Sequence, residues 1–194
     1  MKYARLVMFG MILLLTACGA SYDEIEPNMS RSVNDFEFTT ESNESLSLED
    51  LKGDWWIADF IFTNCETVCL PMTYHMSELQ NRLADNGLDI RLISFSVDPD
   101  YDTPEVLTAY AEEYAADLSN WSFLTNYDFQ TIKELSIKSF QAALKEPERG
   151  SDQVLHDTRF FLVSPEGETI KGYDGLDINS LDEIIDDLLV LHSN

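Results

Sequence analysis

The sequence predicts an α/β domain with a mixed central sheet flanked by helices, and three observations carry that prediction. Runs rich in β-branched and aromatic residues alternate along the chain with segments of helical apolar spacing. The helical segments begin at capping residues or end at Gly-containing breaks. The last elements read as two strands joined by Ser164-Pro-Glu-Gly167 and followed by a helix, which adds an antiparallel pair to strands otherwise separated by crossovers.

Each element follows from local pattern. Residues 34–39, Asn-Asp-Phe-Glu-Phe-Thr, alternate apolar and polar as a half-buried strand does, giving an extra N-terminal strand or hairpin. Residues 45–51 carry a short helical turn, and Lys52-Gly53 breaks the chain before a strand over 55–62. Met72, Met76, Leu79 and Leu83 mark a helix that Asn86-Gly87 ends. Residues 90–97 form a strand buried on both faces, closed by Asp98-Pro99. Thr103-Pro104-Glu105 starts a helix with threonine as N-cap and proline in the first turn, running to about residue 116. A short strand over 121–124 precedes a helix over 129–140 capped by Asp128, and the charged stretch 141–153 is an exposed loop. A strand over 158–163 and its hairpin partner over 168–173 lead to a final amphipathic helix, 181–191, capped by Ser180. Two cysteines between the first central strand and the following helix give the thioredoxin arrangement, so the predicted fold is thioredoxin-like.

Composition narrows the function. With 12 basic and 36 acidic residues the formal charge is −24, which repels nucleic acid and sets that class of partner aside. The N-terminus, Met1-Lys-Tyr-Ala-Arg5, is basic, and residues 6–15 are apolar over a length short for a membrane span. Leu15-Thr-Ala-Cys18 then resembles the bacterial lipobox. The expected organisation is a signal peptide over 1–17, a lipid-anchored tether over 18–32 with Cys18 lipid-modified, and one domain over 33–194. That places the domain on the extracytoplasmic face of a bacterial membrane. Cleavage would remove Lys2 and Arg5 and no acid, making the mature chain more acidic still.

Removing Cys18 from the count leaves Cys65 and Cys69 as one pair. Spaced four apart at a helix start, they lie on one face, where the helix end favours the thiolate. Three chemistries are open to them: a structural staple, a redox couple, or a soft-metal site needing a third ligand. Of the three histidines, His192 is a helix end. His75 lies six residues beyond Cys69, about 9 Å along the helix at about 1.5 Å per residue. His156 ends a loop long enough to fold back over the cysteines.

The ordered motifs Asp59-Phe-Ile-Phe-Thr-Asn-Cys65-x3-Cys69, Ser96-Val-Asp98-Pro99 with Asp102-Thr-Pro104, and His156-Asp-Thr-Arg-Phe-Phe-Leu-Val163 resemble the Sco/SenC family of copper-handling, thioredoxin-fold cytochrome c oxidase assembly proteins. The resemblance covers roughly residue 33 to the C-terminus. It implies one copper, Cu(I) or Cu(II), held by Cys65, Cys69 and His156, with Asp98 as an accessory carboxylate. It also implies a metallochaperone serving the CuA site in subunit II of cytochrome c oxidase and loaded by copper donor proteins. The other reading is a thiol-disulfide oxidoreductase using Cys65 and Cys69 as its redox pair to keep the oxidase's copper-ligand cysteines reduced. Two departures fall inside the motif: Leu70 stands where the family usually has proline, with Pro71 following, and Glu66 where it often has proline. A proline early in the helix remains, so the helix is still expected to begin normally.

Overall fold

A computed structural model describes residues 25–65 and 69–193, with Cys69 described by its backbone. Cys18 and the expected signal segment lie outside the described residues, as do residues 66–68. The described strands are β1 (Arg31–Ser32), β2 (Glu37–Thr40), β3 (Ser45–Ser47), β4 (Trp56–Ile61), β5 (Arg91–Ser96), β6 (Trp121–Thr125), β7 (Leu144–Lys145), β8 (Leu155–His156), β9 (Arg159–Val163) and β10 (Glu168–Asp174). The helices are α1 (Cys69–Asp85), α2 (Pro104–Glu113), α3 (Phe129–Phe140) and α4 (Ser180–His192).

Eight strands form one mixed sheet in the order β1-β10-β9-β4-β5-β6-β2-β3. Strands β4, β5 and β6 are parallel, joined through α1 and α2, and β9 and β10 add antiparallel to the outer side of β4. This is the thioredoxin-like arrangement expected, with the β2–β3 hairpin and β1 added at the two edges. Every residue of β4 is buried, as the unbroken apolar run requires of a central strand covered on both faces. One face carries Ile57 and Ile61 against Met72, Met76, Leu79 and Leu83 of α1 and the apolar stripe of α4. The other carries Trp56, Ala58, Phe60 and Phe62 against Phe95, Phe161 and the α3 residues Ile132, Leu135 and Phe140. Among the described residues no helix is long and apolar enough to cross a membrane.

The caps at Thr103 and Asp128 form as expected: Val106 N–H donates to Thr103 Oγ1 at 3.4 Å and Thr131 N–H to Asp128 Oδ1 at 2.7 Å. Four details differ from the pattern reading. Residues 45–47 pair as β3 before a 3-10 turn, Glu49–Leu51, because Phe38 and Leu46 face each other across a hairpin. Ser180 is the first residue of α4, and the cap position falls to Asn179, whose N–H donates to Asp177 Oδ1. Residues 25–32, placed in the tether by composition, lie along β10: the Asn28 and Met29 N–H groups donate to the Ile170 carbonyl, and Ile25 is buried. The loop 141–153 contributes β7, which pairs with β8 through Leu144 and His156.

Candidate metal centre

The site lies where ligand sites of open α/β sheets form, beyond the carboxyl ends of the parallel strands. After β4 the chain turns through Phe62, Thr63 and Asn64 to Cys65, which is 7% exposed, and α1 opens at Cys69. Leu70 points to solvent, 48% exposed. Pro71 falls within the first turn, whose N–H groups have no carbonyl partner inside a helix, so the missing N–H breaks no ladder bond.

The two residues before Cys65 are both gripped. Thr63 Oγ1 and N–H donate to the carboxylate of Asp102, at 2.5 and 3.3 Å. Asn64 Nδ2 donates to Asp152 at 2.8 Å, and its carbonyl accepts from Gln153 Nε2 at 3.0 Å. The long loop therefore folds back over the cysteine turn, as its length predicted, and delivers His156 with it. His156 is 9% exposed and packs edge-to-face on Phe62, ring centroids 5.7 Å apart. Its Nδ1 lies 2.8 Å from the Asp157 carbonyl oxygen. A carbonyl only accepts, so Nδ1 carries the proton and, in the neutral ring, Nε2 carries the lone pair. A backbone carbonyl on the far nitrogen is the usual support of a metal-binding imidazole. The turn behind it is held by Asp157, which accepts from Arg159 Nε, Nη2 and N–H at 2.7–3.0 Å. Burial pushes the Asp157 carboxyl up, but the Arg159 guanidinium outweighs it and leaves it below the usual range.

Of the other sequence candidates, Asp98 begins the turn after β5, with its carbonyl accepting from Tyr101 and Asp102 N–H groups. Burial pushes its carboxyl up, helped by the negative charges of Asp100 and Asp152. Asp152 also binds Asn64, the residue before Cys65. His75 is turned elsewhere: its Nδ1 donates to the Gly175 carbonyl at 2.8 Å, tying α1 to the turn before α4. His192 is exposed at the end of α4. Among the described residues no three His, Cys, Asp or Glu side chains form a metal-holding group; the side chain of Cys69 is not among them.

Pattern reading missed two buried carboxyls. Asp102, which opens the Asp102-Thr-Pro104 motif ahead of the N-cap Thr103, is fully buried. Asp59, one member of an apolar strand by pattern, is also fully buried; its Oδ1 accepts from Ser94 Oγ at 2.6 Å, and Ser94 in turn accepts from Trp121 Nε1. Its Oδ2 has no hydrogen-bond partner among the described residues. Burial pushes the Asp59 carboxyl up to about 7, against the lowering influence of the Ser94 hydroxyl and of His156.

Residues 25–191 match the family model described as SCO1/SenC. The chain belongs to the SCO1/SenC family. A relative from Bacillus subtilis (strain 168), a SCO1 protein homolog, is 45% identical over 189 residues, 97% of this chain and 96% of its own. A crystal structure of a SCO1/SenC family lipoprotein from Bacillus anthracis str. Ames superposes with a TM-score of 0.81 at 39% identity, covering 86% of this chain and 99% of that one. The structure of BsSco, reported for a disulfide switch and described as a member of the Sco family of cytochrome c oxidase assembly proteins, gives 0.78 at 46% identity, covering 86% and 95%. Arabidopsis thaliana ScoI, solved with copper bound, shares the fold at a TM-score of 0.69 and 23% identity, covering 83% and 98%.

Proposed function

We propose that this protein is a copper metallochaperone for the CuA centre of cytochrome c oxidase, binding one copper through Cys65, Cys69 and His156. The observation that carries the reading is His156: a histidine buried against the cysteine turn, with Nδ1 committed to the Asp157 carbonyl and Nε2 left as the basic nitrogen. Two thiolates favour Cu(I), and an imidazole beside them keeps Cu(II) accessible. The donor set thus fits a carrier that must hold copper in either state. Binding to thiols releases their protons, so affinity rises with pH. Cys65 reaches the metal from the strand side, Cys69 from the helix and His156 from the folded-back loop, while Asp98 at the rim faces an incoming partner. Copper donor proteins load the site, and subunit II receives its metal. The lipobox at Cys18, together with the lipoprotein character of the Bacillus anthracis relative, supports a lipid anchor and an extracytoplasmic location.

A second reading draws on the disulfide switch reported for BsSco. In it one thiolate attacks a disulfide of the oxidase subunit, a mixed disulfide forms, and the second thiolate resolves it. The partner leaves as a dithiol, and Cys65 and Cys69 leave as a disulfide.

Mixing the copper-loaded full chain with metal-free CuA domain whose cysteines are already reduced separates the two. The chaperone reading predicts that the CuA absorption grows in. Absence of transfer, combined with reduction of an oxidised CuA domain by the metal-free chain, would establish the second reading instead.

A further inference from the structure

We propose that Asp102 is the positioning residue of the centre, a buried carboxylate that ties the ends of β4, β5 and β6 together and so fixes where Cys65 stands. The inference rests on the copper reading above for its metal readout and on the thiol pair alone for its second one.

The geometry converges on this one residue. Oδ1 takes the Thr63 hydroxyl at 2.5 Å, and the Thr63 N–H is 3.3 Å from both carboxylate oxygens. Oδ2 takes the Ser96 hydroxyl at 2.5 Å. The Asp102 carbonyl accepts from Thr125 Oγ1 at 2.6 Å, and its N–H donates to the Asp98 carbonyl at 2.9 Å. Thr63 follows β4, Ser96 ends β5 and Thr125 ends β6. Tyr127 closes the set with its hydroxyl 2.8 Å from the Ser96 carbonyl and 2.6 Å from that of Leu124.

The chemistry requires an acceptor on both oxygens. Ser96 Oγ already accepts the Asp98 N–H at 3.1 Å, so its own proton must go to Asp102. An amide at position 102 would aim an N–H₂ at one of the two hydroxyls and leave that hydroxyl proton without a partner. Among the described residues none of the bonded donors is a cation, although a buried carboxylate without one is expensive to keep. A fold held by packing alone has no use for such a group here, since the apolar core lies beneath these strands on both faces. What the carboxylate adds is a fixed peptide plane and side chain at Thr63, two residues before the first sulfur. Metal ligands held this way keep their geometry through binding and release.

The test uses the full chain and three variants. Thr63→Val deletes the hydroxyl donor at nearly constant shape, Thr63→Ser keeps it, and Asp102→Asn removes one acceptor. In each folded variant, two quantities are read. One is the Cu(II) dissociation constant with its thiolate-to-copper absorption. The other is the thiol–disulfide equilibrium constant of Cys65 and Cys69 against glutathione, measured without metal. Thr63→Val should move both by about tenfold and Asp102→Asn by up to about a hundredfold, with Thr63→Ser close to the parent. A folded Thr63→Val matching the parent in both quantities overturns the proposal, as does Thr63→Ser moving as far as Thr63→Val. If the parent binds no copper, the copper reading fails, and the glutathione equilibrium still decides the role of Asp102.

Discussion

The cysteine half and the histidine half of the site are held by different means. Cys65 stands at the end of β4, a fully buried central strand, and its turn is fastened from beneath by Asp102. His156 belongs to β8, a two-residue strand paired among the described residues only with β7, and its loop reaches the cysteine turn through the exposed Asp152 and through Gln153. Buried hydrogen bonds and packing resist local opening far more than solvent-exposed ones. The comparison teaches that the sheet sets the position of Cys65, while the imidazole arrives on a less deeply anchored segment. For the copper carrier proposed above, one ligand that can leave before the others would ease release of the metal.

The largest expected effect lies under the cysteine half. Phe60 is 1% exposed and touches the rings of Phe95, Phe140 and Phe161. Phe60→Ala should cost about 3–5 kcal/mol in urea unfolding, and a loss below about 1 kcal/mol would mean that half is not the rigid one.

Next comes Asp59, one strand residue away. Its folded carboxyl sits at about 7, whereas the unfolded chain titrates near about 3.9. A raised carboxyl favours the neutral form in the fold, so its contribution is complete below pH 4 and lost as pH rises to 7. The loss can reach about 4 kcal/mol. Asp59→Asn should therefore flatten the pH dependence and gain on the parent between pH 4 and pH 8, measured as the difference between two unfolding series. Parallel curves would mean that Asp59 is already ionised throughout.

Effects on the histidine half should be smaller. The Arg159–Asp157 pair has side-chain exposures of 35% and 14%, so Arg159→Ala should cost about 1 kcal/mol while lowering Cu(II) affinity through the turn that orients His156. Leu155, 58% exposed, should tolerate alanine within about 0.5 kcal/mol. A cost at Leu155 comparable to that at Phe60 would erase the contrast between the halves.

What could be read in the sequence follows the same division. Strand runs, helical spacing, and the caps at Thr103 and Asp128 are local signals, and they placed the sheet and the cysteine turn. The ordered motifs named His156 as the partner of the cysteines, and the loop that carries it contacts Asn64 through Asp152 and Gln153 while His156 packs on Phe62. Asp102 escaped because nothing local distinguishes a buried turn aspartate from the exposed helix lead-ins it resembles; its carboxylate bonds Ser96, six residues before it, and Thr63, 39 residues away, and the second contact has no local signal. Between Asp98 and Asp102, four residues apart, the family resemblance singled out Asp98, whereas Asp102, just before the N-cap, makes the long-range bonds to Thr63 and Thr125. Strands β7 and β8, two residues each, are too short for any period to show. Residues 25–32 are polar enough to look like a tether, yet their backbone groups find β10, a contact that composition does not encode.

The ligand set is tested most directly by anaerobic copper titration of the reduced full chain beside its His156→Ala variant. The parent should bind one copper per chain with thiolate-to-Cu(II) absorption. The variant should keep Cu(I) on its thiols and lose Cu(II) affinity by more than about a hundredfold. An unchanged Cu(II) spectrum and affinity in His156→Ala would contradict the three-ligand centre.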